Sequence, residues 1–268
     1  MMYNTGFFVA AASIVGASAQ GLAGGSLSSS CQSAFANILT GPAGACLGVS
    51  DLANVAMTPS NESLVPAINT YLTNTCAQPA CTNATIDATI ANITSGCQSD
   101  LSKWNVSDSD IQTVGGYIKE FYPVGRQIAC LTDSNDSNKY CITTTLQTFQ
   151  TNLGAPLSVN NLWNLNYSTF TQNSTFTKNL VCTDCTLAAW NIIKGYLSAD
   201  TQSSVQSDVD NLCGSGFSSG TTPSNIRQTA NSAIQGSSSS GQNSAGRTIF
   251  GSLAAVAMGA AGATMLVL

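Results

Sequence analysis

Acid–base and nucleophilic chemistry depends on few side-chain types, and the most widely used of them is missing: the 268 residues contain no histidine. Ser–His–Asp and Cys–His constellations are therefore excluded, as are the usual His-containing zinc sites. A literal G-x-S-x-G is present at Gly216-Phe217-Ser218-Ser219-Gly220. A nucleophile elbow also requires a strand before it, a helix after it and a histidine base, so the match is read as an accident of Ser/Gly-rich composition. Cys182-Thr183-Asp184-Cys185 has redox spacing, but a thioredoxin-like pair belongs beside a βαβ unit. No such unit is readable, and a structural role is expected. Asp108-x-Asp110 and Asp208-x-Asp210 could chelate a divalent cation only if residues i and i+2 converged, and on a helix they diverge. Asp108 and Asp110 are read instead as first-turn acids facing a helix dipole. Glu62 and Glu120 are the only glutamates, and nothing else supports a glycosidase carboxylate pair. Trp104, Trp163 and Trp190 could offer a sugar-stacking surface or line a lipid pocket, although Trp190 sits at core spacing. No catalytic residue, metal or other cofactor is expected, and the chain is read as non-enzymatic.

The cysteines carry a different message. There are ten, at Cys31, Cys46, Cys76, Cys81, Cys97, Cys130, Cys141, Cys182, Cys185 and Cys213. An even number in a secreted chain reads as five disulfides formed in an oxidising compartment, with the pairing left open. N-x-[ST] sequons stand at Asn61, Asn83, Asn92, Asn105, Asn135, Asn166 and Asn173, and occupied sites must face solvent. Charged residues make up 8% of the chain with a net charge of −5. That composition leaves no basic patch to neutralise phosphates, so a nucleic-acid partner is not expected.

The elements holding these residues are read from periodicity as helices. Phe35, Ile38 and Leu39 near Cys31 predict a short helix closed by Gly41-Pro42. Leu64, Val65, Ile68, Tyr71 and Leu72 form one face of a helix that Ser63 can cap. Ile86, Ile90, Ile93 and Cys97 form another. A continuous helix from Cys81 to Cys97 would separate its ends by about 24 Å, whereas a disulfide allows only about 4.4–6.8 Å between Cα atoms. Those two cysteines must therefore bond elsewhere and tie the helix to its neighbours. Ser109 and Asp110 can start a helix through Ile111, Val114, Ile118 and Phe121, weakened by Gly115-Gly116 and ending near Pro123. Ile142, Leu146, Phe149 and Leu153 predict a helix ended by Gly154. Residues 155–178 read as a long loop. Leu187, Trp190, Ile193 and Leu197 follow Cys185, and Val205, Val209, Leu212 and Cys213 make a last helix that Gly214 can cap. Cys81-Thr-Asn-Ala-Thr-Ile aligns with Cys182-Thr-Asp-Cys-Thr-Leu, which raises the alternative of two similar helical halves. The expected class is all-α, a disulfide-stapled helical bundle.

Both ends read as processing signals. Phe7 to Val15 is an apolar core followed by Ala17-Ser18-Ala19, a secretory signal peptide over residues 1–19 cut between Ala19 and Gln20. The cysteine-rich helical domain then covers 20–213. Residues 214–243 are a Ser/Thr/Gly-rich stretch expected to form a disordered stalk. Residues 244–268 read as a GPI-attachment propeptide whose uncharged apolar tail covers 249–268. Asn243, with Ser244 and Ala245 behind it, is the first choice of attachment residue; Ser239 or Ser240 would give the spacer its usual length.

Signal peptide, ten-cysteine helical domain, stalk and lipid-anchor tail together resemble fungal secreted, GPI-anchored cell-surface proteins. More narrowly, the chain is similar to a fungal family of cysteine-rich extracellular domains with pairs such as Cys76/Cys81 and Cys182/Cys185. The resemblance covers Ser26 to Cys213 and rests on cysteine spacing, so it implies an address more than an activity. The fungal haem-acquiring cysteine-rich domains are also GPI-anchored, but they are far shorter with eight closely spaced cysteines, and no Asp haem ligand is carried over. The expectation is a glycosylated protein on the extracellular face of the plasma membrane or in the cell wall. Its role there would be structural or interactive, with the membrane and wall glucan as neighbours. The alternative is an extracellular carrier holding a sterol, lipid or other apolar molecule between its helices.

Overall fold

The structure, a computed structural model, describes residues 27–103, 105–164 and 174–231. The signal peptide with Ala19 and Gln20, Trp104, the sequons at Asn166 and Asn173, the attachment candidates Ser239, Ser240 and Asn243, and the apolar tail lie outside the described residues. The chain divides into two compact units. The first takes residues up to Met57, Thr70–Arg126 and the stretch from Ala230; the second takes 58–69 and 127–229. The division falls inside two helices, α4 (Val65–Ala77) and α7 (Asp108–Ala129).

The first unit is helical. Its α1 (Ser29–Thr40) is capped by Ser28, whose hydroxyl accepts from the Cys31 N–H at 3.3 Å, and it ends at Gly41 as the motif predicts. Pro42 then opens α2 (Pro42–Cys46), followed by α3 (Val49–Ala56). The Ile86/Ile90/Ile93 pattern forms α5 (Asn83–Gly96), which leads into α6 (Gln98–Lys103). Gly96 is required by close approach, since a Cβ there would lie 2.4 Å from the Ala34 Cβ on α1. The core gathers Cys31, Ala34, Cys97, Leu101 and Ile111, with Cys46, Cys81 and Ile86 beside Tyr122 in a second cluster.

Helix α7 runs on to Ala129, with Pro123 inside it, instead of ending near Pro123. Proline removes one hydrogen bond from a helix interior. Burial of Val124 and Arg126 just beyond it, at 2% and 5% exposure, holds the last turns in place.

The second unit mixes helices with a small sheet, so the all-helical expectation holds only in the main. Strands β1 (Leu131–Asp133), β2 (Lys139–Tyr140) and β3 (Ile226–Gln228) pair antiparallel in the order β2-β1-β3, with Thr132 opposite both Tyr140 and Arg227. Strands this short carry no alternating run to read. Helix α8 (Cys141–Leu153) ends at Gly154 as expected. The stretch expected as a loop contains α9 (Val159–Trp163) and α10 (Ser174–Val181). It is anchored by Leu157, which is fully buried and whose carbonyl accepts from the Leu64 N–H at 2.9 Å. Then come α11 (Asp184–Ile193) and α12 (Ala199–Cys213). Trp190, Leu197, Val205 and Val209 form one core cluster; Leu131, Cys141, Cys185, Ala188 and Ile226 form another.

Residues 214–231, expected as the start of the stalk, are built into the fold. Phe217 packs on the Trp190 cluster, Ser218 is 2% exposed, and Ile226 is buried as part of β3. One apolar residue in a turn, Phe217, and one in a short strand, Ile226, give this stretch enough to bury, although its average composition is polar.

Candidate functional site

The cysteines, Ser218 and Asp110 hold the fold together. All ten cysteines are disulfide-bonded. In the first unit Cys31 pairs with Cys97 and Cys46 with Cys81, so Cys81 and Cys97 bond to the neighbours of α5 and not to each other. In the second unit Cys141 pairs with Cys185 and Cys182 with Cys213. The Cys182-x-x-Cys185 motif is thus divided between two bridges, as its structural reading requires.

The G-x-S-x-G match is equally committed. The Ser218 hydroxyl donates to Asp210 Oδ2 at 2.9 Å, its N–H donates to Asp210 Oδ1 at 2.8 Å, and its carbonyl accepts from Trp190 Nε1 at 2.9 Å. This satisfies a buried hydroxyl and a buried indole N–H, groups that are costly to leave unpaired. Neither sequence signal, a low-complexity serine nor an Asp at the end of α12, would have linked them.

Asp110 forms a capping box with Ser107. Its carboxylate accepts from the Ser107 hydroxyl at 2.6 Å and from its N–H at 2.9 Å, while the Ser107 hydroxyl accepts from the Asp110 N–H at 3.2 Å. Those bonds hold the Asp110 carboxyl below the usual carboxylate range. Glu62 and Glu120 are both exposed, each on its own unit. Among the described residues, no group of three or more His, Cys, Asp or Glu could hold a metal ion.

Two buried charges were not legible in the sequence. Asp100, 3% exposed, accepts from the Ser28 hydroxyl at 2.5 Å and pairs with Lys103 at 3.2 Å. The Ser28 hydroxyl, aided by Lys103, holds the Asp100 carboxyl low against the opposing effect of burial. Arg126 donates from Nη1 to the Thr75 carbonyl at 2.9 Å and from Nη2 to the Gln78 carbonyl. Asn231 joins it, giving its N–H to the Cys76 carbonyl at 2.8 Å and its Nδ2 to the Ala77 carbonyl at 2.7 Å. Arg126 and Asn231 together cap the end of α4, where carbonyls lack helical partners and a cation meets the negative end of the dipole.

No protein-family model, curated protein or solved structure matches this chain.

What remains is surface. Asn61, Asn83, Asn105 and Asn135 are exposed, whereas Asn92 is half-buried with its Nδ2 3.5 Å from the Ala34 carbonyl. Between α5 and α7 the first unit has a cavity of about 240 Å³, lined by Asp87, Ile90, Ala91, Gln112, Gly115, Gly116 and Lys119. Pockets for drug-sized ligands run to roughly 300–1,000 Å³ and are mostly apolar, so this one suits a smaller and more polar occupant than a sterol. Among the described residues no helix is long and apolar enough to cross a membrane.

Proposed function

We propose that this chain is a non-catalytic, glycosylated module of the outer cell surface, held there by a GPI lipid and serving a structural or interaction role. The observation that carries this reading is that all ten cysteines are disulfide-bonded, a state that persists in oxidising compartments. Four exposed sequons agree with a glycosylated surface. The non-catalytic part of the reading is supported by the engagement of Ser218 with Asp210, of Asp110 in a helix cap and of Cys182 and Cys185 in bridges. The signal-peptide and attachment patterns at the two ends supply the address, and the resemblance to fungal surface proteins makes wall glucan the expected neighbour.

The test is release from intact cells, read by blot. Phosphatidylinositol-specific phospholipase C is expected to free the protein, or glucanase if the chain has been transferred to the wall. Release by detergent alone, with neither enzyme effective, would mean a membrane-spanning tail and overturn the reading.

A further inference from the structure

Gly115 and Gly116 lie together inside α7, where each costs about 1 kcal/mol relative to alanine. Packing explains the first: a Cβ at Gly115 would come within 2.7 Å of Ile90 Cδ1. Packing does not explain the second, because a Cβ at Gly116 would meet nothing within 4 Å. Gly116 instead walls the α5–α7 cavity, beside the Asp87–Lys119 ion pair at 2.7 Å. Gly125 in the same helix is equally open, so what sets Gly116 apart is its place in the groove wall, where bare backbone allows a ligand to come close.

The walls narrow the chemistry of that ligand. Asp87 and Lys119 neutralise one another, so the groove has little net charge with which to hold an ion. Ile90 and Ala91 give the lining its apolar side chains, and Asp87, Lys119 and Gln112 give it a carboxylate, an ammonium and an amide. A lining that mixes donors and acceptors with apolar side chains suits a pyranose, whose C–H face is apolar and whose rim is hydroxylated. The same helix provides a place to attach one. Asn83, exposed and in a sequon, opens α5, and Asn83, Asp87 and Ala91 follow at i, i+4 and i+8, about 12 Å along one side. Contacts Asp87–Lys119 and Ile90–Gly115 show α5 and α7 running antiparallel, so the Asp87–Lys119 pair closes the end of the groove nearer Asn83, one helical turn away.

We propose that the groove between α5 and α7 is the seat of the N-glycan carried by Asn83, whose first sugars lie over Asp87, Lys119 and Gly116. The inference rests on the reading of the chain as a glycosylated, secreted protein. A small open groove is a weak site for a free sugar, but a short tether supplies an effective concentration in the millimolar range. Weak contacts then suffice.

The experiment uses the mature protein secreted from a eukaryotic host, digested natively with an endo-β-N-acetylglucosaminidase. Site-resolved mass spectrometry compares loss of glycan at Asn83 with loss at Asn61 and Asn135 on the same molecules. Cleavage at Asn83 is expected to be several-fold slower, and Gly116→Leu, which fills the groove and favours the helix, should bring it to the Asn61 rate. Lys119→Ala, which removes a sugar contact without filling space, should shift it in the same direction. Equal rates in the wild type, or a slow Asn83 unchanged in both variants, overturn the seat. If Asn83 alone is bare, the seat fails while the surface reading stands. If every sequon is bare, both fail.

Discussion

Helices α5 and α11 begin alike and are secured differently. Each starts with a Cys-Thr pair whose threonine caps the helix: Thr82 accepts from the Thr85 N–H and Thr183 from the Thr186 N–H, both at 3.1 Å. From there the units diverge. Cys81, just before α5, bonds to Cys46, and Cys97, just after it, bonds to Cys31, so α5 is stapled at both ends by nested bridges. Helix α11 is stapled twice at one end, by crossed bridges from Cys182 to Cys213 and from Cys185 to Cys141. Its far end has no staple and must be held by burial. Accordingly α5 buries only Ile86 completely, whereas α11 buries Cys185, Thr186, Ala188 and Trp190. The Cys-Thr alignment marks a shared capping device, and the bridge order and the sheet show that the two units are not similar halves.

The contrast can be broken most forcefully at the segment serving the free end of α11. A chain ending after Asn231 is expected to be secreted and to melt cooperatively. One ending after Cys213 should lose cooperative melting, since it lacks β3, the acceptor for Trp190 and the Asn231 cap. Trp190→Ala is expected to cost about 3–5 kcal/mol in denaturant unfolding. Replacing Cys182 and Cys213 together by alanine should cost about 2–5 kcal/mol. Under mild reduction this half-buried pair should be alkylated before Cys31 and Cys97, which are 1% and 2% exposed.

Smaller effects sharpen the comparison on the first unit's side. Asp100 has a depressed folded pKa, so its stabilisation is complete above the unfolded value of about 3.9 and is lost as pH falls through the lower folded value. Asp100→Asn should therefore lower stability by about 1–2 kcal/mol at neutral pH, with the gap to wild type closing in acid. The least effect is expected from the matched caps: Thr82→Ala and Thr183→Ala should each cost about 1 kcal/mol. Equal losses in thermal melts would show the two caps to be equivalent.

Much of this fold was legible in local signals. Apolar spacing located α1, α4, α5, α8, α11 and α12, and helix length alone forbade a Cys81–Cys97 bridge. What escaped was long-range. Pro123 reads as a stop until the burial of Val124 and Arg126 is known, and nothing in the sequence foretells the carbonyls that Arg126 meets at the end of α4. Residues 214–231 are polar on average, so composition assigns them to a stalk; the few contacts of Phe217, Ser218 and Ile226 decide otherwise. Chemistry was legible mainly as exclusion, because a chain without histidine lacks the commonest base. The groove beside Gly116 could be found only after α5 and α7 were seen side by side.

The cap on α4 also sets a clock. Its last carbonyls wait for Asn231, which enters the chain 154 residues after Ala77. At roughly 5–20 residues per second, that interval is about 8–30 s of synthesis during which α4 has no finished end. The first unit is begun early and closed late, by the last of the described residues to leave the ribosome.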